Sequence, residues 1–306
     1  MALLTVGTVA FDSIETAHGK ADRVIGGAAM YIGLAAAHFT TPIQLVSVVG
    51  DDFPTAELRY MESVGIDLEG LQIKPGEKSF YWAGRYHDDL NGRDTLVTEL
   101  NVLADFDPVL PPAYQKTAYV MLGNLTPAVQ MRVLDQLKKR PKLVAMDTMN
   151  FWMDVAWDDL MKVLRRVDLL LINDEEARQL SGEHSLMKAA RQILRMGPKI
   201  LVIKKGEHGA LLFQQNSVFY APALPLEQVT DPTGAGDSFA GGMMGYLAMK
   251  NRLSEDNFKK AIIVGSAMAS FCVEKFSNAR MKELSEDIIR DRIRQFADLV
   301  RFGNPF

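Results

Sequence analysis

The 306-residue sequence holds one cysteine, Cys272, which excludes an intramolecular disulfide and any cysteine-rich zinc site. No apolar run approaches the roughly 20 residues that a membrane-spanning helix requires; even residues 28–39 form a short stretch ending in polar positions. Charge of one sign is not in excess: 34 basic against 38 acidic residues give a formal charge of -4. Neither nucleic acid nor an anionic membrane is therefore an expected partner, and any phosphate site must be local. The start, Met1-Ala2-Leu3-Leu4, has no basic region before its apolar run and meets Asp12 too soon for a secretory signal, so a soluble, cytoplasmic location is expected. His18, His38, His87, His184 and His208 show no metal-ligand spacing, and Ser238 lacks a nucleophile-elbow context. No Gly-x-x-x-x-Gly-Lys-Ser/Thr string occurs and no Gly-x-Gly-x-x-Gly follows the first apolar run, which removes support for P-loop and dinucleotide readings.

What is present suits a compact globular chain, with 48% hydrophobic and 24% charged residues. Short apolar runs at 3–6, 45–49, 118–122, 143–146, 168–172 and 200–203 read as buried strands. Helical periodicity falls between them at 28–39, 55–64, 128–139, 157–167 and 186–196, and again at 238–249, 258–273 and 288–300. The alternation predicts an α/β fold: a mostly parallel central sheet with helices on both faces and ligands outside the carboxyl ends of the strands. Residues 72–106 break the rhythm, since 80–86 and 95–98 read as a β-hairpin about a polar turn. It reads either as an edge decoration or as a lid that excludes water. No repeat or linker divides the chain, so one domain over 1–306 is expected. The exposed hairpin edge leaves a homodimer open.

Asp231-Pro232-Thr233-Gly234-Ala235-Gly236-Asp237-Ser238-Phe239-Ala240-Gly241-Gly242 passes from a turn into an apolar-periodic segment, predicting a helix that starts near Gly236. Phe239, Met243, Tyr246 and Leu247 would share one face. The first amides of such a helix have no intrahelical partner and, with the helix dipole, attract an anion; Gly234 and Gly236 let a phosphate approach the backbone. Asp237 alone could be an ordinary acidic residue at a helix start. Asp12 reads equally as a turn residue, Gly26-Gly27 as a helix start, and Asn173 with Glu176 as a capping box.

The twelve-residue string resembles, nearly residue for residue, the C-terminal signature of the ribokinase-like carbohydrate kinases of the PfkB family, and the resemblance covers most of the chain. It implies a ribokinase-like fold with a small β lid formed by parts of 12–25 and 72–106. It implies an ATP-dependent phosphotransferase in which the amides of Gly234, Ala235 and Gly236 form an anion hole and Asp237, ionised at its ordinary pKa near 3.9, takes the acceptor's hydroxyl proton. Asp12, Gly26 and Gly27 are then sugar contacts. Asn173 and Glu176 belong to an Asn-x-x-Glu motif that organises hydrated Mg2+ and phosphate. Lys205, before Gly206, approaches the nucleotide, and residues 267–278, Ala267 and Asn278 among them, wall the adenine pocket. Asp231 and Thr233 match half of a K+ site whose other half, 274–279, fits poorly, so K+ stays open. Tyr31 stands where the family often has asparagine, and 147–152 only loosely follows its Asp-x-Asn-x-Arg segment.

The expected acceptor is a sugar or sugar derivative. A nucleoside is the alternative, for which Tyr31, Phe80, Tyr81, Trp82, Phe151 and Trp152 could stack on a base. A reading of another class is a nucleotide-binding regulatory protein that keeps the fold without turnover.

Overall fold

In the computed structural model, which describes residues 1–90, 92–214 and 217–301, the apolar runs become thirteen strands and ten α-helices among the described residues. The chain begins β1 (Leu3–Val6), β2 (Ala10–Thr16), β3 (Gly19–Gly26), α1 (Ala28–Ala37), β4 (Ile43–Gly50), α2 (Thr55–Ser63) and β5 (Ile66–Lys74), followed by β6 (Tyr81–Tyr86) and β7 (Arg93–Glu99). It continues through β8 (Tyr119–Leu122), α3 (Pro127–Asp135), β9 (Leu143–Asp147), α4 (Asn150–Val155), α5 (Trp157–Leu164), β10 (Leu169–Asn173), α6 (Asp174–Ser181), α7 (Leu186–Met196) and β11 (Ile200–Lys204). The last part holds β12 (Ala210–Gln214), β13 (Ser217–Ala221), α8 (Ala235–Lys250), α9 (Glu255–Cys272) and α10 (Glu286–Leu299).

Nine strands form one sheet in the order β13-β12-β11-β10-β9-β8-β1-β4-β5. The run from β11 to β5 is parallel, and β12 and β13 extend it antiparallel. Because side chains alternate across a strand, neighbouring residues enter different cores. Tyr119 and Met121 pack on the face carrying α1, α8 and α9, while Val120 and Leu122 pack on the face of α3, α5 and α7. Such double burial explains the continuous apolar runs.

The small sheet, ordered β3-β2-β6-β7, joins the hairpin to β2 and β3. Here Phe11 to Glu15 run parallel to Tyr81 to Arg85, and β6 and β7 are antiparallel. Asp12 and Trp82 are register partners, so their side chains share a face. Asp12 thus lies within β2 and not in a turn.

The sequence periodicity misread α8. Residues Ser238 to Ala248 are buried on every side, not along one face, because α8 is wedged between α1 and α9. A side chain at Gly241 would meet the Ile32 carbonyl, and one at Gly242 would come 2.6 Å from Met268. Among the described residues no helix is long and apolar enough to cross a membrane.

Candidate active site

Three adjacent parallel strands end in polar residues: β9 in Asp147, β10 in Asn173 and β11 in Lys204. Helix α8 begins beside them. Gly234 caps it with φ 77°, a left-handed conformation that suits glycine, and its carbonyl accepts the Ser238 N–H at 2.8 Å. A Cβ there would come 2.5 Å from the Tyr31 ring, so this turn rests directly on Tyr31. Gly234, Ala235, Gly236 and Asp237 keep partial solvent access, whereas Ser238 is fully buried. The half-buried helix start therefore brings the Gly236 amide and the Asp237 carboxylate together, while the Ala235 N–H donates to the Pro232 carbonyl at 3.2 Å.

The loop before it is pinned from several sides. Asp231 has no exposed surface, and its carboxylate accepts the N–H of Thr233 at 2.8 Å and of Ser277 at 3.0 Å. The small sheet holds the same loop: Thr16 Oγ1 donates to the Thr230 carbonyl at 3.0 Å and Thr233 Oγ1 donates to Tyr86 Oη at 3.1 Å. Ser277 Oγ also donates to the Ile25 carbonyl at 2.5 Å.

Asp12 reaches the site from β2. It is 5% exposed and accepts the N–H of Gly27, while any side chain on Gly26 would overlap its carboxylate. The helix-start reading of Gly26-Gly27 holds, since Gly27 caps α1 and its carbonyl accepts the amides of Met30 and Tyr31. Burial first, then the charge of Asp231, pushes Asp12 up to about 7. Asp237 is likewise raised to about 7, by burial and by Asp147, with Lys204 and Arg93 opposing. The expectation of an ordinary, fully ionised aspartate at 237 is thus corrected: removal from water costs the charged form more than its cationic neighbours return.

Asn173 and Glu176 form the foreseen capping box on α6, with Glu176 N–H to Asn173 Oδ1 at 2.7 Å and Asn173 N–H to Glu176 Oε2 at 2.8 Å. Burial and Asp147 raise Glu176 to about 7 against the pull of Lys204. Among the described residues no group of three His, Cys, Asp or Glu could hold a metal directly. The donor set fits a hydrated magnesium ion instead, because Asp147, Glu176 and Asp237 crowd negative charge that a water-bridged divalent cation would offset.

Lys205 is not the lysine at the centre. It lies in the turn after β11, whereas Lys204 turns inward, 3.0 Å from Asp147 Oδ2. Lys204 continues the face of Val202, which packs in the α8 core. Gly206 is exposed in that turn. Ala267 has no exposed surface within α9, so it offers no wall to an adenine; Asn278 is 4% exposed with an unpartnered Nδ2. Tyr31, 1% exposed beneath Gly234, is unavailable for stacking. Phe151, 51% exposed, instead packs edge-on against Trp152, centroids 4.9 Å apart. Sequence reasoning missed Lys204, Asp147 as its partner, and Arg93, whose guanidinium lies 5.7 Å over the Trp82 ring and acts on Asp12, Glu176 and Asp237.

Residues 4–283 match the pfkB family carbohydrate kinase. The chain is 31% identical over 257 residues to a cytidine kinase of Thermococcus kodakarensis, covering 83% of this chain and 91% of that protein. The nucleoside kinase of Methanocaldococcus jannaschii shares its fold with TM-score 0.75 at 20% identity, over 96% of this chain and 98% of the other. A solved structure from E.coli in complex with ATP and Mg+2 superposes with TM-score 0.79 at 18% identity, covering 97% of this chain and 99% of the other. With its helix-start glycines, buried carboxylates and small sheet in place, the chain belongs to the pfkB family of carbohydrate kinases, enzymes of ribokinase-like fold that transfer phosphoryl from ATP to a hydroxyl of a sugar or nucleoside.

Proposed function

We propose that this kinase phosphorylates a ribose hydroxyl of a nucleoside. The observation that carries the reading is the shared face of Asp12 and Trp82 on the small sheet, where a carboxylate for ribose hydroxyls stands beside an aromatic surface for a base. The similarity to a cytidine kinase supports the same acceptor class. Asp12 and Gly27 hold the acceptor, Asp237 orients its hydroxyl and takes the proton, and the Gly234 and Gly236 amides receive the phosphoryl oxygens, joined by the Ala235 amide once it leaves the Pro232 carbonyl. Magnesium, held through water by Asn173 and Glu176, supplies charge neutralisation of the nucleotide phosphates when bound. Segments 10–26 and 81–99 act as the lid, closing on the acceptor and excluding water. Asp231, buried and bonded to backbone N–H groups, is the place for a monovalent cation beside Thr233.

The acceptor class is tested by kcat/KM for cytidine, adenosine and ribose at saturating MgATP. Nucleosides should exceed ribose by about 10-fold or more, the worth of one stacked ring of roughly 1.5 kcal/mol. A preference for ribose would return the assignment to free sugars. The cation reading predicts lower turnover in tetramethylammonium than in K+ buffers, and equal turnover would remove it.

A further inference from the structure

Resting on the kinase reading above, we infer that Lys204, aimed by Asp147, is a catalytic residue that carries fixed positive charge to the transferring phosphoryl group at the Gly236 amide. Lys204 ends β11 beside Asn173 of β10, its side chain is 16% exposed, and Nζ lies 3.0 Å from Asp147 Oδ2. A Cβ built on Gly236 would come 2.9 Å from that Nζ, with Lys204 Cε the next nearest atom at 3.8 Å. The ammonium group therefore lies against the helix start that offers the anion-hole amides, and the missing side chain at 236 is what admits it.

The electrostatics match that placement. Burial pulls the Lys204 pKa down, but Asp147, then Glu176 and Asp237, raise it further, so the side chain stays protonated at neutral pH. An ammonium has three N–H donors, and Asp147 engages one, leaving donors for phosphate oxygens. During transfer the acceptor oxygen bonds to the γ-phosphorus while the bond from that phosphorus to the β–γ bridging oxygen breaks. The hydroxyl proton passes to Asp237, and ADP leaves with the electron pair of the broken bond. Negative charge that shifts onto the bridging and equatorial oxygens meets Lys204 at a distance fixed before substrate arrives.

The competing role is structural: Lys204 would only neutralise a buried Asp147. Leaving one member of a buried pair alone is costly, whereas removing both is often tolerated. The experiment compares Lys204→Met, Lys204→Arg and the double variant Lys204→Met with Asp147→Asn, measuring kcat, acceptor KM and Tm for each. Lys204→Met should lower kcat by about 100- to 1,000-fold with acceptor KM changed by less than about 3-fold, and Lys204→Arg should recover part of the loss. The double variant should regain the Tm lost in the single variant while its kcat stays low. Recovery of kcat in the double variant to within about 5-fold of the unmodified protein would overturn the inference, even if the single variant fails to fold. Absence of transfer by the unmodified protein would overturn the kinase reading instead.

Discussion

Replacing Asp237 by Asn should stabilise the ligand-free fold while abolishing turnover, and the stabilisation should depend on pH. Asp237 rises from 3.8 to about 7 in the folded protein, chiefly through burial and then through Asp147. A shift of that size corresponds to roughly 4 kcal/mol at 1.36 kcal/mol per unit, and the partial solvent access of the carboxylate reduces it to about 2 kcal/mol. The sign follows from proton linkage. With the folded pKa above the unfolded one, the native state binds the proton more tightly, so stability is full below about pH 4 and falls as pH rises toward 7. An amide removes that loss. Differential scanning fluorimetry at pH 8 should therefore show Asp237→Asn melting higher by about 4 °C, taking about 2 °C per kcal/mol for a chain of this size. At pH 5 only about a third of the gain should remain. An Asp237→Asn variant that melts at or below the parent at pH 8, or a gain that does not change with pH, would refute the electrostatic account of the site.

With Asp237 as the proposed base, kcat/KM should rise with pH through an apparent pKa near 7, because the carboxylate must be ionised to accept a proton, and a profile flat from pH 5 to 8 would contradict this. Gly234→Ala meets both a φ of 77° and the Tyr31 ring, so it should cost about 2 kcal/mol or more of stability together with activity, read by thermal melts and initial rates. Gly26→Ala drives a methyl group into the Asp12 carboxylate and should raise acceptor KM by about 10-fold or more while leaving the KM for ATP close to normal. Arg93→Ala, on an exposed lid strand, should leave Tm within about 1 °C and lower kcat/KM by about 10-fold, visible in the salt dependence of the rate.

How much of the site could be read from sequence followed from how local its physics is. The glycine-rich helix start at Gly234 to Asp237 and the capping box at Asn173 and Glu176 are made by residues within four positions of each other, so the string itself carries the geometry. The parallel strands were legible because both faces are buried and the apolar runs are unbroken. The choice between Lys204 and Lys205 turned on strand parity: alternation from Val202 puts Lys204 on the α8 side, and that count was the signal that went unused. The Asp147–Lys204 pair joins residues 57 positions apart and needs the strand order before it can be seen. The all-round burial of α8 depends on two partner helices, which no periodicity within the segment records. Strands β5, β12 and β13 were unforeseen, β5 and β13 because they are half-exposed and mix polar with apolar residues. The raised pKa values of Asp12 and Asp237 come from burial and from charges on other strands, so reference values could not anticipate them.

The most direct measurement is the initial rate of ADP formation from MgATP with cytidine, with the phosphorylated nucleoside identified by mass, for the unmodified protein and for Asp237→Asn. The account predicts stoichiometric ADP and nucleoside monophosphate from the unmodified protein and a rate lower by about 100- to 10,000-fold in the variant, the range of a lost general base. Equal rates in the two proteins would contradict Asp237 as the proton acceptor and, with it, the mechanism built on this helix start.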